Sequence, residues 1–398
     1  MREPKAAGEN PLKTLQGLGQ SIWIDFIQRG MILSGELQRL IDEDGVSGVT
    51  SNPTIFEKAI DHSQDYDNAI HLLALEGKNA AEMYETLVID DIQHAADILR
   101  PLYETTDGAD GFVSLEVSPH LAHDTAGTIA EGRRLWNHVA RPNVLIKVPA
   151  TEEGVPAIRQ LIGEGINVNI TLLFGLARYR QVIEAYLGGL EDAVAKHLPL
   201  RNISSVASFF LSRIDVLVDP LLQKDAAKEA GNENGTLALR GLTALSCARL
   251  AYRIYRDVFG GERFRRFSAR GARTQRLLWA STSTKNPEYP DVKYVEPLIG
   301  PGTINTLPLE TLRAYRDHGK PRAALTDNVS EARGVLERLS HLGYDLETIS
   351  RRLEEEGARK FNESFDLLLS TIARKSDRQS DIAPAAAVSG PARGRRRG

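Results

Sequence analysis

The feature that most constrains this chain is an alternation. Short β-rich runs recur along it, and each is followed by a stretch with helical apolar spacing. Strand-type runs fall at 21–26, 46–50, 111–117, 144–148, 166–171, 203–209 and 275–281, with a weaker one at 303–305. About eight such units is the number that closes a barrel, so the predicted class is α/β, a (β/α)8 TIM barrel. Between the strands, 34–42 reads as a helix capped by Ser34, with Leu37, Leu40 and Ile41 on one face. Residues 80–99 carry an apolar stripe of Met83, Leu87, Ile92, Ala95 and Leu99. Residues 125–139 and 155–162 fill the next gaps, and 237–259 is a long amphipathic helix after the break Gly231-Asn232-Glu233-Asn234-Gly235. From 308 to 374 no strand is expected, only extra C-terminal helices packed on the barrel exterior.

Composition bounds the rest. A length of 398 residues fits one large barrel or two ordinary domains. The net charge of -4 gives no strong field for nucleic acid or membrane. The one cysteine, Cys247, excludes an internal disulfide and a Cys-based zinc site, and its helical surroundings make it a small core residue. No apolar signal core opens the chain and no run of about 18 apolar residues crosses it, so the expected compartment is the cytoplasm. From Ser376 the composition turns to Ala, Pro, Gly and Arg, ending Gly394-Arg395-Arg396-Arg397-Gly398. Such a segment buries too little apolar area to offset its chain entropy. The expectation is a single barrel domain over 1–375 and a disordered basic tail over 376–398. That tail is read as a solvated extension rather than a contact for RNA or another anion.

Parallel barrel strands are buried on both faces and should be almost wholly apolar, so their polar residues are informative. Val144-Leu145-Ile146-Lys147-Val148-Pro149 sets a lysine inside an apolar strand. One explanation is a strand-edge lysine whose stem snorkels to water. The other strands weigh against it. Ser21-Ile22-Trp23-Ile24-Asp25 and Phe112-Val113-Ser114-Leu115-Glu116 both end in a carboxylate. Asn169 and Thr171 stand two apart and face the same way, Ser208 stands at a corresponding height, and Val49-Thr50-Ser51-Asn52-Pro53 ends in an amide. Polar groups thus recur at the C-terminal rim, where barrels build their active sites. Attack on a carbonyl carbon needs an uncharged amine, which apolar surroundings favour and a nearby carboxylate opposes.

Three strings carry a resemblance: Gly48-Val49-Thr50-Ser51-Asn52-Pro53-Thr54, Ile146-Lys147-Val148-Pro149-Ala150-Thr151, and Asn167-Val168-Asn169-Ile170-Thr171-Leu172-Leu173-Phe174. Together they resemble the signatures of the transaldolase family, over most of the chain from about Gln20. The resemblance implies that Lys147 forms a Schiff base with a ketose phosphate and that Asp25 is the general acid/base. It also implies that Glu116 and Thr171 order a catalytic water, and that Asn52 and Asn169 hold substrate hydroxyls. No metal or cofactor is then needed, because the iminium is the electron sink. Ser208-Phe209-Phe210-Leu211-Ser212-Arg213 resembles the family's phosphate loop, with Ser208 and Arg213 as ligands; a surface ion pair of Arg213 with Asp215 is the plainer alternative. The seventh strand departs from better-known members: Ala280-Ser281-Thr282-Ser283-Thr284-Lys285 lacks their second arginine, leaving Ser281 and Lys285 as stand-ins. This variant resembles a longer bacterial branch of the family, whose members are often homodimers.

The resemblance therefore implies transfer of a dihydroxyacetone unit between sugar phosphates. Two rivals stand beside it: a Schiff-base aldolase that releases the triose, and a catalytically silent sugar-phosphate-binding barrel. Phe210 favours transfer, since the related aldolases tend to carry a tyrosine there. His120 and His123, three apart beside Asp124, lack further ligands at metal-binding spacing and read as an exposed polar stretch.

Overall fold

The computed structural model describes residues 10–227 and 233–382. Eight strands close into one barrel in chain order: β1 (Gln20–Ile24), β2 (Val46–Val49), β3 (Phe112–Glu116), β4 (Val144–Pro149), β5 (Val168–Leu173), β6 (Ser205–Phe210), β7 (Arg276–Ala280) and β8 (Thr303–Leu307). Every neighbouring pair is parallel, including β8 with β1. The weakest strand expectation, at 303–305, is a full strand.

All residues of β2 through β6 and of β8 are buried, as strands packed on both faces require. The half-buried exceptions, Ser21 on β1 and Arg276 on β7, meet at the N-terminal end of the barrel. There Arg276 donates to Ser21 at 2.6 Å and lies 3.5 Å from Asp110, which accepts from Trp23 Nε1 at 2.7 Å and from Ser21. This cluster closes the floor of the barrel, opposite the rim that carries the expected site.

Several helices differ from the sequence reading. Ser34 does not cap the helix after β1. The chain breaks at Gly35, in a left-handed conformation, and the helix is Glu36–Asp44, while Ser34 ends a short preceding helix, Arg29–Leu33. The helix Ala80–Thr105 starts with a capping box between Asn79 and Glu82 and continues beyond 99 through Pro101. The expected helix over 237–259 is Thr243–Phe259, preceded by the short helix Glu233–Leu237, because Gly241 takes a positive φ between them.

After β8 come the helices Leu309–His318, Val329–His341 and Leu346–Ile382. The last does not stay on the barrel exterior. It packs against the helix Pro53–Asp61 and against β5, and brings Phe361 into the cavity at the barrel mouth. It also runs past the expected boundary at 376 to Ile382. The rest of the expected tail, 383–398, lies outside the described residues. Among the described residues, no helix is long and apolar enough to cross a membrane.

Trp23 fills the barrel interior against β2, and the space it occupies is space that Gly48 leaves. A Cβ on Gly48 would stand 2.4 Å from the indole ring. Gly48→Ala is therefore expected to lower stability by about 1–3 kcal/mol through overpacking. Chemical denaturation followed by tryptophan fluorescence measures it. An unchanged midpoint would mean that Trp23 has room to shift.

Candidate active site

The site grows from the register of three strands. Lys147 on β4 pairs with Glu116 on β3 and with Asn169 on β5. Lys147 is 3% exposed and Glu116 8%, so the amine does not snorkel to water. Its Nζ donates to the Ser51 carbonyl at 2.9 Å and lies 3.3 Å from Glu116 Oε2. Burial pushes the Glu116 carboxyl above its ordinary range, against the pull of the Lys147 charge. Asp25 follows β1, half-buried at the rim. Its carboxyl is also pushed up by burial, opposed by Lys147, by a hydrogen bond from Thr50 and by Arg213. Thr50 Oγ1 donates to Asp25 at 2.7 Å and is 2.8 Å from Thr306 Oγ1, so a chain of hydroxyls reaches the carboxylate from β8.

Beside the lysine the strands are polar but differently occupied. Asn169 is fully buried: its amide donates to Ser114 at 2.9 Å and its oxygen accepts from Ser208 at 2.6 Å. Thr171 Oγ1 is buried and, among the described residues, without a hydrogen-bond partner. Neither Glu116 oxygen accepts an aligned hydrogen bond there either. Buried groups left open in this way are free to take a hydrogen bond from a polar ligand or water. Leu172, next to Thr171, has φ +54°, and the β5–β6 register shifts between Ile170 and Leu173. Ser281, just past β7, also has φ +54°. Left-handed non-glycine residues cost of the order of 1–3 kcal/mol each and persist where the surroundings hold them.

A cavity of about 430 Å³ opens at this rim. Of the residues singled out from the sequence, Lys147, Asp25, Asn52, Ser208, Arg213, Ser281 and Lys285 line it. Glu116, Asn169 and Thr171 do not; they stand buried in the adjoining strands. Asn52 Oδ1 caps the helix Pro53–Asp61 by accepting from the Ile55 backbone at 3.1 Å, which turns its NH2 to other work. Ser281 Oγ lies 2.8 Å from Ser212 Oγ, and Lys285 donates to Ser283 at 2.6 Å. Arg213 does not pair with Asp215. That carboxylate accepts from Tyr294 and from the Ala244 backbone at 2.8 Å and sits 3.2 Å from Lys293. The sequence reading missed Thr50, Thr306, Lys58, Glu310 and Phe361, which share the cavity. Thr50 lay inside a string already singled out. Lys58, Glu310 and Phe361 sit on helices whose spacing gives no hint that they reach the barrel mouth.

The two histidines singled out from the sequence have ordinary partners. His120 contacts Asp366 at 2.8 Å and His123 contacts Glu153 at 3.2 Å, both exposed. Cys247 is buried, and burial pushes its thiol up to about 12.

The arrangement can hold an anionic, hydroxylated ligand with its carbonyl at a buried amine. Comparison with known proteins gives the family. Residues 22–372 match the model of the Transaldolase/Fructose-6-phosphate aldolase family. A transaldolase from Thiobacillus denitrificans is 48% identical over 363 residues, covering 91% of this chain and 99% of that protein. A transaldolase from Thermobifida fusca is 47% identical over 367 residues, covering 92% and 98%. One from Mycobacterium bovis is 45% identical over 364 residues, covering 91% and 96%. A match across nearly the whole length of chain and relatives alike, on a closed eight-stranded parallel barrel, means that this chain belongs to the transaldolase/fructose-6-phosphate aldolase family.

Proposed function

We propose that this chain is a transaldolase of the non-oxidative pentose phosphate pathway. It moves a dihydroxyacetone unit from sedoheptulose 7-phosphate or fructose 6-phosphate to glyceraldehyde 3-phosphate or erythrose 4-phosphate. The observation that carries the reading is a buried lysine amine that opens on a polar cavity, with one carboxylate beside it and a second at the same rim. The setting is cytoplasmic, where sugar phosphates are held, and a homodimer is the expected assembly.

Lys147 Nζ attacks the ketone carbon, and the carbinolamine loses water to give an iminium. Glu116 and Thr171, whose buried oxygens lack aligned partners among the described residues, hold the water that carries the protons. Asp25 takes the C4 hydroxyl proton, the C3–C4 bond breaks, and its electron pair enters the iminium as an enamine. The shortened aldose leaves. An aldose acceptor then takes its place, the enamine carbon attacks the aldehyde carbon, Asp25 returns the proton, and hydrolysis frees Lys147. Arg213, Ser208, Ser281 and Lys285 bind the substrate phosphate by charge and hydrogen bonding. Asn52 contributes its NH2 to substrate hydroxyls. Asn169 uses its oxygen and one N–H inside the barrel wall, which leaves one N–H for the bound fragment.

Transfer is favoured over release of free dihydroxyacetone by Phe210, which lines the cavity and carries no hydroxyl to assist water. The transaldolase names of the relatives point the same way.

Borohydride with fructose 6-phosphate is expected to trap an adduct on Lys147, located by peptide mass mapping, and Lys147→Ala to abolish it. Asp25→Ala should still be trapped while turnover falls about 10²–10⁴-fold, the usual weight of a general acid/base. Full turnover in Asp25→Ala would remove that residue from the mechanism.

Thr50→Val tests the proton affinity of Asp25. The Thr50 hydrogen bond favours the ionised carboxylate, so its loss raises the Asp25 pKa further. Because Asp25 must be ionised to accept the proton, the acidic limb of the kcat/KM–pH profile should move to higher pH. An unmoved limb would mean that another group controls it.

A further inference from the structure

Arg213, half-buried, reaches the cavity without an ion-pair partner among the described residues. Two aromatic rings surround it instead. Its guanidinium carbon stands 5.4 Å from the centre of the Phe210 ring and 5.7 Å from that of Phe361. Phe210 comes from β6 and is backed by Phe174, with ring centres 5.3 Å apart. Phe361 comes from the helix Leu346–Ile382, nearly 150 residues after Arg213, and is 3% exposed.

We propose that Phe361 is a positioning residue that sets the enzyme's affinity for the phosphate of its substrate, by clamping Arg213 against Phe210. Contact with an aromatic face attracts a guanidinium without consuming its N–H groups. A carboxylate partner would hold the arginine equally well but occupy the donors a phosphate needs. The clamp leaves the fork free and narrows the conformations to be lost on binding.

The helix that delivers Phe361 is itself pinned close by. Ser364 Oγ lies 2.8 Å from Thr54 Oγ1, and Glu354 lies 3.4 Å from Arg178. Gly357 lets the helix approach: a Cβ there would come within 2.8 Å of Leu172 and 3.6 Å of Arg213.

The inference deepens the proposed function and rests on it for its first assay. Borohydride-trapped adduct on Lys147 is measured against ketose concentration, for fructose 6-phosphate and for phosphate-free dihydroxyacetone. In Phe361→Leu the half-saturating concentration for fructose 6-phosphate should rise about tenfold more than that for dihydroxyacetone. Phe361→Tyr, which keeps the ring, should behave as wild type. Phe361→Leu should add nothing in an Arg213→Ala background, because the clamp acts through that arginine. An equal rise for both ketoses, or no rise for either, overturns the clamp. If the wild-type enzyme forms no adduct, the Schiff-base reading fails instead. Calorimetric titration with inorganic phosphate then still decides the clamp: weaker binding in Phe361→Leu supports it and equal binding overturns it.

Discussion

The contact on which the site depends is the buried pair of Lys147 and Glu116, 3.3 Å apart on adjacent strands. Taking two opposite charges out of water costs several kcal/mol per ion, and their attraction offsets that only when the geometry is held. A closed barrel supplies the holding. The β3–β4 register sets Glu116 opposite Lys147, and closure leaves no free edge along which either strand can slip. Desolvation acts on the pair as a unit, because it penalises separated charge and raises the proton affinity of Glu116.

Around the pair the barrel wall separates supporting groups from those that face the ligand. Ser114, Asn169 and Ser208 form a hydrogen-bonded row across β3, β5 and β6 that fixes their orientation beside the lysine. Thr306 and Thr50 do the same for Asp25 from the other side. Both rows consist of neutral groups. They orient without adding net charge beside the charged groups Lys147, Glu116, Asp25 and Arg213. Two of the left-handed non-glycine residues, Leu172 and Ser281, sit where β5 and β7 give way to this rim. Their strain is sustained by a barrel whose other strand positions are almost entirely buried.

The barrel was legible in the sequence because eight buried strands leave eight apolar runs, and a lysine or carboxylate in such a run has few innocent explanations. Lys147, Asp25, Glu116 and Thr171 stood out by violating the rule for parallel strands. The groups that resisted reading lie on helices. Lys58, Glu310 and Phe361 break no local rule: a charged residue on a helix surface or a phenylalanine in an apolar stripe is what any helix carries. Only the tertiary path of the chain makes them neighbours of the lysine. Ser34 misled for the opposite reason. It is a good capping residue, but the left-handed turn at Gly35 set the helix start one residue later. The length of the last helix was hidden by composition, since the change at Ser376 does not stop it before Ile382.

The same contrast explains why the chain continues after its barrel is complete. Eight strands can place a lysine and its carboxylates, because all of these lie on the barrel itself. They leave the mouth open beyond β6, where Arg213 projects with Phe210 from the barrel against it. Water at that opening would screen the guanidinium and multiply its conformations. The helix Leu346–Ile382 supplies what the strands lack: an apolar face from outside the barrel, brought close at Gly357 and anchored at Ser364. Its aromatic ring lies 5.7 Å from the Arg213 guanidinium and 6.0 Å from the Lys147 amine. A single side chain thus borders both the buried amine and the cavity arginine. The amine and the arginine are placed by the barrel and the helix after β6; the ring between them is placed by the packing of the C-terminal helix.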